Sequence, residues 1–286
     1  MNLSFLRTFL EVIEAGNLNR AADRLHVTQS TVTTRINALE DQLGQKLLLR
    51  NKSGTALTSA GFKFQRYAEL MMQLWRQANH EITLPDSFET VCNIGCHFDL
   101  WRDVGQRWFG SIQTNHPEVE VSVWGGEQAD LDRWLTSGLV DVAFCYSPNV
   151  KDNAFARLLF EDPLILVSSL SVNDPYPQAA HLYVDLGEDF RRQHAAAFPH
   201  AAAPALIFGT AAWALEHLLN KGGTGYLPLS MAASSLATGA LFKVVDAPEF
   251  SRAVYLVGDA ATARTWSWFD QSVEDFAEAL QSKTKS

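Results

Sequence analysis

A chain of 286 residues has room for two or three domains, and 47% apolar against 19% charged residues excludes wholesale disorder. No apolar run reaches the ~18 residues of a membrane span, and Glu11 and Glu14 interrupt the first apolar stretch where a secretory signal would need continuity. Cys92, Cys96 and Cys145 are too few for a disulfide framework, so a reducing cytoplasm is expected. The formal charge of −9 argues at first against a nucleic-acid partner, but it is unevenly spread. Up to Arg66 there are nine bases (Arg7, Arg20, Arg24, Arg35, Lys46, Arg50, Lys52, Lys63, Arg66) and five acids (Glu11, Glu14, Asp23, Glu40, Asp41). That head carries +4, and the rest carries −13. A basic head on an acidic body fits DNA contact confined to the head.

Leu6, Phe9, Leu10 and Ile13 predict a first helix, which Gly16 ends. Asn17 then caps a second, whose apolar stripe Leu18, Ala21, Ala22, Leu25 has helical spacing. After a tight Leu25-His26-Val27 connection, Val32, Ile36, Leu39 and Leu43 predict a third helix. Its opposite face carries Ser30, Thr34 and Asn37, flanked by Gln29, Thr31, Thr33 and Arg35, with no acid before Glu40. Short hydrogen-bonding side chains on such a face suit base edges in a major groove, and the pair suits a helix-turn-helix. The pattern also fits a small helical hairpin whose Thr-rich face is merely solvated.

Leu47–Leu49, a turn over 51–54 and Ala56-Leu57 predict a hairpin, with Arg50 and Lys52 at its tip where a wing would meet phosphates; an ordinary charged turn reads the same. Thr58 caps a long helix from Ser59. Phe64, Tyr67, Met71, Leu74 and Ala78 form a seam on it, with Trp75 and Ile82 beside them, which points to a dimer helix or to packing on the same chain. Pro85-Asp86-Ser87 marks a linker.

The stretch FLEVIEAGNLNRAADRLHVTQSTVTTRINALEDQLGQKLLLR, followed by LTSAG, resembles the N-terminal domain of LysR-type transcriptional regulators. Ala21-Ala22, Leu25, Gln29-Ser30, Leu39-Glu40, Leu43-Gly44, Arg50, Leu57-Thr58 and Ala60-Gly61 hold the family spacing over some sixty residues. Asn17 and Asn19 stand where the family often has Ser, as does Thr33, and Leu48 stands where it usually has Phe. The thinner basic wing implies modest DNA affinity. FDLWRDVGQRWF and VDLGEDFRRQHAA resemble the HdfR-like branch of that family.

From Val91 the pattern changes. Val91–Gly95, Val119–Val123, Asp141–Tyr146, Leu164–Val167, Leu182–Val184, Ala205–Phe208, Tyr226–Leu227, Leu241–Val245 and Val254–Val257 are short β-rich runs. Helical stretches, such as Leu100–Ile112, Leu131–Ser137, Ala211–Asn220 and Met231–Ala237, alternate with them. That alternation predicts α/β layers with largely parallel sheets. The resemblance implies a two-lobed domain like periplasmic binding proteins, with crossover strands and an inducer between the lobes. The expected fold is therefore α+β and multidomain: a winged helix-turn-helix over 1–58, a linker and dimerisation helix over 59–87, and an effector domain over 88–286. Lobe I covers about 88–160 and 262–286, with the last helix, about Trp266 to Leu280, returning to it; lobe II covers about 161–261.

Ligands of open α/β sheets sit beyond the C-terminal strand ends, often at helix N-termini. This nominates Cys96, His97 and Phe98, then Tyr146 and Ser147, and Thr210 opening a helix after Phe208; Trp124 would wall the cleft. A Thr hydroxyl with free amides would favour an anionic effector. The same residues would also serve as ordinary strand ends or core. Adjacent strand residues diverge, so Cys96 with His97 is not expected to form a reactive pair. Asp189, Arg191 and Arg192 read as a capped, solvated helix start. No H-x3-H or C-x2-C pair calls for a metal, and no G-x-S-x-G elbow, phosphate-binding loop or dinucleotide fingerprint calls for a cofactor or an enzyme. The expected partners are double-stranded DNA at a near-palindromic operator, a small effector, a second or fourth copy of the chain, and RNA polymerase if the regulator activates. The rival readings are a ligand-independent architectural DNA binder and an enzyme carrying a DNA-binding head.

Overall fold

The computed structural model describes residues 2–51, 54–149, 153–170, 181–201 and 203–284. The chain divides into two compact units at Pro85/Asp86.

In the first unit α1 (Leu3–Ala15), α2 (Leu18–Leu25) and α3 (Gln29–Leu43) each begin at a side chain that accepts a free backbone amide. Asn2 takes Ser4 N, Asn17 takes Asn19 N at 2.7 Å, and Thr28 takes Thr31 N at 3.2 Å. Gly16 and Gly44 close α1 and α3 in the left-handed conformation, and His26 (φ 53°) does the same for α2. Their apolar stripes meet in one core that includes Leu6, Phe9, Ala21, Val32, Ile36 and Leu39. A hairpin of β1 (Leu48–Asn51) and β2 (Gly54–Leu57) pairs Leu48 with Leu57 and Arg50 with Thr55. Buried Glu40 ties this hairpin to α3 by accepting from the amides of Leu47 (2.9 Å) and Leu48 (3.1 Å) and from Lys46 Nζ (2.7 Å). Burial opposes its charge, but those three donors outweigh it and hold the carboxyl below its ordinary range. The 24-residue α4 (Ser59–Ile82) then crosses the hairpin so closely that a Cβ on Gly61 would stand 2.1 Å from Leu47 O. The expected seam divides: Phe64 and Met71 pack on the core of this chain, while Tyr67, Trp75 and Ile82 are exposed.

The second unit is built on a mixed sheet. β3 (Thr90–His97) lies parallel between β4 (Val119–Gly126) and β5 (Val142–Cys145). The long β6 (Ala154–Ser168) and β11 (Phe250–Asp259) run antiparallel to each other. β11 also pairs β5, and the far half of β6 pairs β9 (Thr224–Pro228) and β10 (Phe242–Lys243). β7 (Leu182–Val184) and β8 (Leu206–Phe208) form a short parallel pair. The expectation of largely parallel sheets is corrected here, because the two crossover strands impose antiparallel pairing. Leu164–Val167 is only the end of β6. The earlier part escapes a search for apolar runs because it alternates in burial and contains Glu161-Asp162-Pro163.

Helices α5 (Gln106–Asn115), α6 (Gln128–Ser137), α7 (Glu188–Ala197), α8 (Ala211–Lys221), α9 (Leu229–Ala237), α10 (Ala260–Ala263) and α11 (Phe269–Thr284) cover the sheets. The helix expected from Leu100 starts later: a 3-10 turn (Phe98–Leu100) and a π turn (Trp101–Gly105) precede α5. One core gathers Ile94, Trp108 and Phe144 with Phe276 of α11; another gathers Leu166, Phe190, Leu218 and Tyr226. These are two lobes strung on β6 and β11. No helix among the described residues is long and apolar enough to cross a membrane.

Candidate functional site

In the first unit, Gln29, Ser30 and Thr34 are exposed at the start of α3, with Thr31 and Thr33 half-buried beside them. Their polar groups are knitted together. Thr28 Oγ1 lies 2.8 Å from both Ser30 Oγ and Thr31 Oγ1, Gln29 Nε2 donates to Thr33 Oγ1 (3.2 Å), and Thr34 Oγ1 donates to Ser30 O (2.9 Å). Each of these side chains is a short donor–acceptor on a rigid helix, which is the equipment for reading base edges. Arg35 differs. It is half-buried, and its Nη1 donates to Thr8 Oγ1 (3.3 Å), so it braces α3 against α1. Arg50 lies in β1 opposite Thr55, and Lys52 lies outside the described residues.

In the second unit a cavity of about 690 Å³ opens between the lobes. Of the nominated residues, His97, Tyr146 and Ser147 line it, and Gly209 lines it in place of its neighbour Thr210. Cys96 does not: its side chain is buried in the first core, and burial pushes its thiol up. Phe98 leans over Gly125, and Trp124 is part-exposed on β4; neither lines the cavity.

Thr210 caps α8 by accepting from Trp213 N at 3.3 Å. The amides expected to be free there are not. Asp99, from the turn after β3, accepts from Ala211 N (3.1 Å) and Ala212 N (3.2 Å), so a carboxylate of one lobe fills the helix N-terminus of the other. Asp162 of β6 likewise caps α9, accepting from Ser230 N (3.1 Å) and Ser230 Oγ.

Arg252 of β11 stacks on Tyr146 with its guanidinium carbon 3.3 Å from the ring centroid. It donates to Leu186 O (3.1 Å) and stands 4.0 Å from Asp99 Oδ2. His97 Nδ1 accepts from Asp99 N (3.2 Å), which leaves Nε2 to donate to Glu127 (3.3 Å) as the neutral imidazole. Burial is the main cause of that neutrality. With Arg252 adding to it against the pull of Asp99, the His97 pKa falls to about 4. Sequence reasoning missed Asp99, Glu127 and Arg252 altogether. It also read the start of α7 as solvated, whereas Glu188, Asp189 and Arg191 line the cavity. No local pattern marks these residues, because the fold brings them together from four distant segments of chain.

Residues 3–62 match the family described as bacterial regulatory helix-turn-helix protein, lysR family, and residues 87–283 match the LysR substrate binding domain. The chain is 29% identical over 260 residues to HTH-type transcriptional regulator HdfR of Shigella boydii serotype 18, covering 90% of this chain and 91% of that one, the branch that the sequence suggested. Among solved structures it resembles full-length CbnR complexed with its target DNA (TM-score 0.70, 21% identity, 97% and 98% of the two chains). It also resembles full-length LysG from Corynebacterium glutamicum with bound effector Arg (TM-score 0.54, 20% identity, 97% and 98%). A helix-turn-helix head matched by the first of these families, joined to a two-lobed domain matched by the second, makes this chain a member of the LysR family, non-enzymatic transcriptional regulators that join a DNA-binding head to an effector-binding domain.

Proposed function

We propose that the first turns of α3 lie in the major groove, with Gln29, Ser30, Thr31, Thr33 and Thr34 against base edges, and with Arg35, Arg50 and Lys52 placing the head on phosphates. The observation that carries this reading is the run of exposed, acid-free hydrogen-bonding side chains at the start of α3. The head ends at about residue 58, and residues 59–87 join it to the effector domain. Two copies meet along α4, so that paired heads span a near-palindromic operator, and tetramers arise by pairing such dimers. RNA polymerase is a further partner if the regulator activates. The work is done in the cytoplasm, where the DNA is. Lobes I (about 88–160 and 262–286) and II (about 161–261) hold the effector in the cavity of His97, Tyr146 and Ser147. Effector binding alters DNA affinity only by favouring one lobe arrangement over another.

Mobility shifts with the DNA upstream of the regulator's own gene test the head. Gln29→Ala should weaken specific binding by about 1–3 kcal/mol and leave the salt dependence alone, whereas Arg50→Ala should lower the salt slope by about 1. Parent-like affinity for Gln29→Ala would remove that residue from the reading set.

A further inference from the structure

The acceptors and donors of the interlobe cavity are unequally engaged. Groups that would hold an anion already hold a part of the chain. The α8 amides hold Asp99, Arg191 Nε lies 3.5 Å from Asp185, and Ser147 N donates to Gln128 Oε1 at 3.3 Å. The Nε and Nη2 edge of Arg252 makes no hydrogen bond, but both atoms are shielded from the open volume, and Nη2 is the atom nearest Asp99. The N-terminus of α7 carries its own acids, Glu188 and Asp189, in its first turn.

Carboxylates are in surplus. Glu127, Asp185, Glu188 and Asp189 line the cavity against two guanidiniums, Arg191 and Arg252, and His97 between them is neutral. Arg192 takes Asp189 from outside the lining. Among the described residues, neither Glu127 of the first lobe nor Glu188 of the second meets a Lys or Arg at ion-pair distance. Burial, then the nearby Asp99, Asp130 and Asp185, push the Glu127 carboxyl up, while its partners are the neutral His97 Nε2 (3.3 Å) and the capping box of α6 rather than a cation. Leu164, Phe190 and Tyr255 supply apolar wall, and about 690 Å³ is within the range of small-molecule sites.

We propose that the molecule bound here is a small organic cation, an amine or guanidine whose charged end is taken by Glu127 and Glu188 from the two lobes. This rests on the reading of the cavity as the effector site, and it reverses the anionic effector that free α8 amides would have favoured. A cation held by carboxylates of both lobes bridges them, so binding and lobe closure favour each other.

The test is titration calorimetry with thermal melting of the full-length protein against putrescine, agmatine and L-arginine, with glutarate and citrate as anions at matched ionic strength. A cation should bind and raise Tm. Glu127→Gln combined with Glu188→Gln should weaken it by about tenfold or more, while Glu216→Gln, on the exposed side of α8, should leave the affinity alone. Binding of an anion that is lost in Arg191→Gln would overturn the charge class and keep the effector cavity. Cation binding indifferent to the double variant would place the cation elsewhere and overturn the proposal. Silence from every cation and anion would overturn the proposal and the effector reading together.

Discussion

Glu40 shows how much one side chain can hold in place. Its carboxylate is the acceptor for two amides where the hairpin leaves α3, and the residue is only 4% exposed. Glu40→Ala strands both amides and should cost about 2–3 kcal/mol in urea unfolding at unchanged m; Glu40→Gln, which keeps one acceptor, should cost less. Equal losses would assign the effect to packing. His97 makes the corresponding case for pH. Its folded pKa of about 4 lies below the unfolded value of about 6.5, so between those values the unfolded chain binds a proton that the folded chain refuses. Stability is therefore full above about pH 6.5 and is lost as the pH falls toward 4. His181, also lowered to about 4 by burial and then by His194, acts in the same direction. Thermal melts should show Tm falling over that window, and less steeply in His97→Gln; identical profiles would deny His97 the role.

At the scale of elements, α4 is more than the first unit uses. Its inner side supplies Phe64 and Ala68 to the core, Phe64 lying 5.5 Å from Phe9, while Phe62, Tyr67, Trp75 and Ile82 remain exposed. Of these, Tyr67, Trp75 and Ile82 fall on one side of the 24-residue helix, and the pairing proposed along α4 would cover them. Trp75→Glu with Ile82→Lys should convert the proposed dimer to monomer in sedimentation and weaken operator binding by about 10²-fold or more through loss of the second head. A parent that sediments as a monomer would refute the pairing. α3 was legible in the sequence because helical periodicity separates its buried Val32, Ile36 and Leu39 from its polar face. The division of labour on that polar face was not, since the Arg35–Thr8 contact joins residues on different helices.

For the whole effector domain, the decisive contacts are carboxylates that reach from one part of the fold to helix N-termini of another. Asp99 joins the first lobe to α8, and Asp162 joins the crossover strand to α9. Asp99→Ala leaves two α8 amides without their acceptor and removes the carboxylate 4.0 Å from the Arg252 guanidinium. It should lower the unfolding free energy by about 1–3 kcal/mol, read from denaturant midpoints. An unchanged midpoint would mean that the interlobe bond is balanced by the cost of burying the charge.

What the sequence by itself determined is the head and the architecture. Caps at Asn17 and Thr58, helical stripes and the spacing from Ala21 to Gly61 are local features, set within one or two turns of chain, and they carried both the fold of the first unit and the family. The alternation after Val91 likewise announced an α/β domain. The tertiary structure alone decided the antiparallel crossover and the content of the cavity. Thr210 showed that a helix opens after Phe208, but the distant Asp99 decided that its amides are occupied. Cys96 and His97 are neighbours in sequence, yet strand alternation sends one into the core and the other to the cavity. The charge of the cavity is a sum over side chains from β11, α7 and the turns after β3 and β4, and such a sum exists only once the chain has brought them together.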